Sequence, residues 1–162
     1  MRTISPEALM PQGVGRWTPD NVAEAWAQAS RALRSELADP ETRVVLVMVG
    51  CPGSGKSTWL GAQPDRADVV AFDAVWAEPK RRASIVKRIA DAGKLPIAVV
   101  VTSPRALCHE RNNARPPWRR VPESFVDRAW SQIVAWPVSP AEGWARVVRV
   151  DGTAPAVPLV LG

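Results

Sequence analysis

At 162 residues with 46% hydrophobic side chains, the chain has the length of one domain and enough apolar material to fill its core. Two cysteines, Cys51 and Cys108, lack any spacing that would hold zinc, and such usage fits a reducing, cytoplasmic setting. No run nears the roughly 18 apolar residues of a membrane span, and no apolar core follows a basic start, so a soluble, unprocessed protein without a membrane partner is expected.

Residues 1–17 contain Pro6, Pro11, Gly13 and Gly15 without periodicity and read as an irregular arm. Thr18 and Pro19 can open a helix as N-cap and first helical residue. Val22, Trp26, Ala29, Leu33 and Leu37 then recur at helical spacing, which predicts one amphipathic helix to about Ala38. The run VVLVMV at 44–49 is continuously apolar, as in a parallel strand covered on both faces. A short helix from Ser57 to Gly61, a strand over 69–72 ending at Asp73, and a helix from Pro79 with Gly93 at its C-cap follow. Residues 97–101 predict a third buried strand, Pro104 to about Asn113 a helix, and 115–121 a loop rich in Pro and Arg. Pro122 starts a helix carrying Phe125, Trp130 and Ile133, and 147–150 is a last short strand before a Pro-rich tail. This alternation implies an α/β fold of three layers, α/β/α, around a small, mostly parallel sheet. Ligands then gather at the carboxyl ends of the strands, where the loop after Val49, Asp73 and Thr102-Ser103 would meet.

Charge is unevenly spread. The total is +5, yet residues 79–128 hold twelve of the 21 basic side chains and only four of the 16 acidic ones. A region with that excess can receive a polyanion, either nucleotide phosphates alone or nucleotide plus a nucleic-acid strand, or it can serve as a solvated basic face.

Gly50, Gly55, Lys56 and Ser57 satisfy the pattern G-x-x-x-x-G-K-[ST], placed between a predicted buried strand and a predicted helix. Glycines at 50, 53 and 55 permit positive φ, so that successive N–H groups converge on the phosphates of ATP or GTP. Lys56 would set its ammonium on the β- and γ-phosphates, the Ser57 hydroxyl would ligate magnesium, and Thr58 would neighbour the α-phosphate. Cys51, Pro52 and Ser54 complete the loop, Cys51 by its small size and without a catalytic part.

Phosphoryl transfer also needs a group to orient or deprotonate the acceptor and cations to balance charge. Asp73, at the end of the second predicted strand, is the leading base; it could instead bind metal-linked water or cap a turn. Arg111 and Arg115, four residues apart where a helix runs into a loop, could bring guanidinium charge over the γ-phosphate, or be surface arginines favoured by a helix C-terminus. Arg119 and Arg120 extend that patch, with Trp118 as a stacking surface for a base. His109, the single histidine, reads as a helix surface residue, and Trp59 as packing between the first helix and the sheet.

The stretch Val49-Gly50-Cys51-Pro52-Gly53-Ser54-Gly55-Lys56-Ser57-Thr58-Trp59 resembles the phosphate loop of bacteriophage-type polynucleotide 5′-kinases and their P-loop kinase relatives. Residues 108–115 (CHERNNAR), followed by 120–125 (RVPESF), are similar to that family's lid, where R-N-x-x-R precedes V-P and a helix. The resemblance implies that Lys56 and Ser57 hold ATP and magnesium, that Asp73 is the general base for a 5′-hydroxyl, that Arg115 is the lid arginine and that Arg111 contacts the nucleotide. It covers roughly residues 44–150. Family members carry one strand ending in the base aspartate and a later one ending in D-x-T-N before an Arg-rich helix. Residues 73–79 align with either, and in the second alignment the acceptor-binding element is pruned.

The expected organisation is an N-terminal arm and amphipathic helix over 1–43, a P-loop kinase core over 44–152 with its Arg-rich lid around 111–121, and a tail over 153–162. The first expected function is ATP-dependent transfer to a hydroxyl on nucleic acid, DNA or RNA, at a 5′ end or on a hydroxymethylated base, as in phage DNA modification. The second is a kinase for a small molecule such as a nucleoside, sugar or antibiotic. The third is a nucleotide-binding ATPase module that transfers nothing.

Overall fold

Five parallel strands and six helices make up residues 1–13 and 15–161, the part of the chain that the computed structural model describes. In chain order they are β1 (Arg2–Ile4), α1 (Pro6–Leu9), α2 (Pro19–Ala38), β2 (Val44–Val49), α3 (Lys56–Gly61), β3 (Val69–Asp73), α4 (Pro79–Asp91), β4 (Leu95–Thr102), α5 (Arg105–Asn113), α6 (Glu123–Ala135) and β5 (Arg146–Asp151). Across the sheet the order is β1-β3-β2-β4-β5.

The apolar run at 44–49 becomes the central strand, buried at every position. Its side chains alternate between two cores, because successive residues of a strand point to opposite faces. Val45, Val47 and Val49 join Ala29 and Leu33 of α2 and Ile85, Val86 and Ile89 of α4. Val44, Leu46 and Met48 join Trp59 and Leu60 of α3. Helix α2 forms as its apolar spacing predicts, with the Thr18 hydroxyl accepting from the Asn21 amide at 3.2 Å. Its Trp26 packs with Phe72 and Trp76, ring centroids 5.9 and 5.4 Å away respectively.

Two expectations need correction. The arm is not irregular throughout: Arg2–Ile4 pairs in parallel with Val70–Phe72 as an edge strand, and Pro6–Leu9 makes a helical turn. Arg2 pins this strand through Asp39 (3.0 Å) and the Thr42 hydroxyl (2.9 Å). The three layers are also unequal. One face carries α2 and α4, whereas the other carries only the six-residue α3 and the C-terminal tail, whose Ala156, Leu159 and Leu161 pack on the sheet. The tail is fastened there by its backbone, with the Leu159 amide donating to Gln63 Oε1 at 2.7 Å and Arg66 donating to the Leu161 carbonyl at 3.2 Å.

From β2 the chain passes through α3 to β3 on one side, then through α4 to β4 on the other. The carboxyl ends of β2 and β4 therefore diverge, and such a reversal opens a crevice suited to ligands. Among the described residues no helix is long and apolar enough to cross a membrane.

Candidate functional site

The loop between β2 and α3 fills that crevice. Gly53 (φ 81°) and Gly55 (φ 103°) take left-handed backbone, and a Cβ on Gly53 would collide with the Cys108 carbonyl of α5. The loop is fixed by neighbours from three strand ends. Gly50 donates to the Val75 carbonyl after β3 at 3.2 Å, and the Ser103 hydroxyl after β4 donates to the Ser54 carbonyl at 3.0 Å. Gly152, just past β5, lies so close that a side chain there would strike Ser54 and Ser103.

Among the described residues the amides of Gly53, Gly55, Lys56, Ser57 and Thr58 donate to no backbone carbonyl. Lys56 folds its ammonium back onto the carbonyls of Gly50 (2.9 Å) and Cys51 (3.1 Å), which leaves one of its three N–H groups uncommitted. Ser57 Oγ donates to Asp73 Oδ2 at 2.8 Å, so the end of β3 and the start of α3 meet directly. Asp73 is thus at the carboxyl edge of the sheet, beside the loop, where the sequence placed it.

Arg111 reaches the loop from α5. Its guanidinium donates to the carbonyls of Gly53 (3.2 Å) and Gly152 (3.0 Å) and approaches the Ser103 hydroxyl (3.4 Å), tying the loop to the ends of β4 and β5. Arg115 follows α5 and is a quarter exposed; its Nη1 is buried 3.6 Å from Glu7 Oε1, without a hydrogen bond among the described residues. The loop carrying Arg115, Arg119 and Arg120 is closed at its base by buried Asn112, which donates to the Val121 carbonyl (2.9 Å) and accepts from the Val121 amide (3.1 Å). Trp118 is half-buried, with the Arg16 guanidinium 5.5 Å from its ring centroid. His109 pairs with Asp127 of α6 at 2.7 Å, a contact that draws the Asp127 carboxyl below its ordinary value.

Of the cavities that touch the loop, two also reach Arg115. One, of about 360 Å³, is lined by Gly53, Gly55, Lys56, Ser57 and Thr58 together with Arg111, Arg115, Asp151 and Gly152. Asp151 is the one acid among its lining residues, and Thr153 holds it ionised through hydrogen bonds from its hydroxyl (2.7 Å) and amide (2.8 Å). The other cavity, of about 500 Å³, takes in Lys56, Ser57 and Asp73, and residues from α1, α2 and α6 wall it. Arg115, Lys56 and Ser57 line both.

Cys51 sits in the loop with its thiol 3.1 Å from Cys108 Sγ, both side chains buried. The Cys51 hydrogen bond holds the Cys108 thiol down to about 7, against burial, with Arg111, Lys56 and His109 adding positive potential. The same contact and burial push Cys51 up.

Sequence reasoning placed Ser103 at the strand ends and missed Asn112, Asp151, Gly152 and Glu7. Asp151 and Gly152 were accessible in principle, since they lie at and just past the end of β5, where an α/β sheet presents its ligand side. Glu7 carried no such signal. No family model matches the chain, nor does any curated protein. Taken by themselves, fold and site describe an α/β protein with a parallel sheet whose switch point carries a glycine-rich, cationic loop.

Proposed function

We propose that the chain is a phosphotransferase of the P-loop kinase kind, using ATP or GTP with magnesium to phosphorylate a hydroxyl. The observation that carries this reading is the convergence of uncommitted loop amides, Lys56, Arg111 and Arg115 on one cavity, with the Ser57–Asp73 pair at its edge. Unpaired donors facing a cation-lined cavity favour a polyphosphate.

Magnesium fits this site. Ser57 Oγ and Asp73 Oδ2 are 2.8 Å apart, close to the roughly 3 Å between neighbouring ligands in an octahedron of ~2.1 Å bonds. Magnesium is commonly held by one or two protein oxygens plus substrate phosphates, so Ser57 and Asp73 need no third protein ligand. When bound, it would neutralise the charge that develops on the phosphates. Asp73 lines the larger cavity and is joined through Ser57 to the phosphate side, from where it would accept the hydroxyl proton as the acceptor oxygen bonds to the γ-phosphorus and the β–γ bridging bond breaks.

On the acceptor, the sequence put nucleic acid first, and the geometry favours the small-molecule reading. Much of the basic excess in 79–128 is engaged internally: Arg82 with Glu142, Lys87 with Asp91, Arg105 with Asp127, Arg119 and Arg115 with Glu7. Arg111 and Lys94 are occupied by backbone carbonyls. Of the twelve, five are left, Lys80, Arg81, Arg88, Arg120 and Arg128, spread over α4, the loop after α5 and α6.

Calorimetry with ATP or GTP under saturating magnesium tests the nucleotide reading. One-to-one binding is expected, weakened at least tenfold in Lys56→Ala; absence of binding by both nucleotides overturns it.

A further inference from the structure

The larger cavity shares Lys56, Ser57 and Arg115 with the nucleotide cavity and adds Asp73, and its walls are mainly apolar and aromatic. Met10, Trp17, Val22, Trp26 and Phe125 line it, contributed by the N-terminal region and α6. The sequence resemblance does not extend to residues 1–43, so this wall is a feature of the present chain. Its volume of about 500 Å³ falls in the range of pockets that take one drug-sized molecule.

Charge and aromatic contacts define the chemistry inside. The ionisable lining comprises Lys56, Arg81, Arg115 and Arg128 against Glu7 and Asp73. Arg81 lies 4.2 Å from the Trp26 ring centroid and Arg128 5.3 Å from that of Phe125, so the two exposed guanidiniums rest on aromatic walls.

We infer that this cavity is the acceptor site, resting on the kinase reading above, and that it takes a compact alcohol with a planar ring and an anionic group. The ring stacks between aromatic walls, the anion meets Arg128, and the hydroxyl lies toward Asp73. The oxygen of that hydroxyl gains the phosphoryl group, its proton passes to Asp73, and the nucleoside diphosphate leaves.

The test uses the full chain and two probes, 2-naphthoate and uncharged 2-naphthalenemethanol, titrated with tryptophan fluorescence and calorimetry. Naphthoate is expected to bind one-to-one, at least tenfold more tightly than the alcohol. Val22→Trp, which fills the cavity, and Arg128→Glu, at an exposed position, are each expected to weaken naphthoate at least tenfold while magnesium-ATP affinity stays within twofold. Magnesium-ATP binding without saturable naphthoate binding overturns this inference and leaves the kinase reading standing; binding of neither removes both. Naphthoate binding indifferent to both substitutions also overturns it, as does tighter binding of a 5′-hydroxyl dodecanucleotide that displaces naphthoate.

Discussion

Ser57 Oγ and Asp73 Oδ2 share a 2.8 Å hydrogen bond that joins the start of α3 to the end of β3. The bond depends on the parallel register of β2 and β3, in which Met48 lies opposite Asp73, so the strand that feeds the loop also sets the height of the carboxylate beside it. One hydroxyl and one carboxylate held together at a cationic cavity can serve a metal ion from one side and an acceptor hydroxyl from the other.

Asp73→Asn keeps the size and one acceptor oxygen but cannot take a proton. Transfer to the acceptor should fall by roughly 10²–10⁴, the usual loss for a positioned base, with nucleotide affinity changed less than threefold. Single-turnover kinetics beside calorimetry separate the two quantities. Equal losses of rate and nucleotide affinity would assign Asp73 to metal binding alone.

The Cys51–Cys108 pair bears on the same loop. Cys108 is lowered to about 7, so its thiolate fraction, and with it its nucleophilicity, rises between pH 6 and pH 8. Diamide should convert the pair to a disulfide, taking up both thiol hydrogens, faster at pH 8 than at pH 6. Because the bridge would fasten the loop to α5, nucleotide affinity should drop with oxidation and return with dithiothreitol. Mass spectrometry after alkylation reads the bridge, and Cys51→Ser should abolish both effects.

The parts of this design that sequence made legible are those in which a local pattern suffices. VVLVMV can only be a strand buried on both faces, and a glycine-lysine-serine loop after it has one obvious orientation. Asp73 followed from the end of a strand. What escaped depends on partners distant in the chain. Three residues, Arg2–Ile4, have no periodicity to read, and they become a strand only because β3 offers an open edge. The Pro-rich tail looks unstructured until one face of the sheet is seen to be covered by a helix of six residues, α3, that leaves room for it. Arg82 reads as part of a basic face, yet it is 1% exposed and held by Glu142, sixty residues away.

That ion pair makes a stability prediction. Arg82 donates to both Glu142 oxygens at 2.8 and 2.7 Å and also to the Ala77 and Trp136 carbonyls. Burial raises the Glu142 carboxyl, but hydrogen bonds from Arg82 and Trp144 outweigh it and leave the group below its ordinary 4.5. Glu142→Ala strands a buried guanidinium and should cost about 3–5 kcal/mol in urea unfolding. Since the folded-state value is depressed, the glutamate's contribution is complete above about pH 4.5 and is lost as pH falls through the lower, folded value. The gap between wild type and variant should therefore stay constant from pH 7 to 5 and narrow in stronger acid.

The tail offers a test with an internal control. Leu159 packs against the β2 and α3 side chains of the second core, whereas its neighbour Val160 is 78% exposed. Replacing Leu159 by Asp removes apolar burial and puts a charge against Trp59 and Leu60, which should cost about 2 kcal/mol or slightly more. For a chain of this length that loss lowers Tm by roughly 4–8 °C. Val160→Asp, one residue away on the solvent side, should stay within about 0.5 kcal/mol of wild type, because the hydrogen bond it makes to Arg146 (2.9 Å) uses the backbone carbonyl. Equal effects from both substitutions would mean that the tail does not cover the sheet in solution. Loss confined to Leu159 would make residues 153–161 the missing half of the layer that α3 is too short to complete.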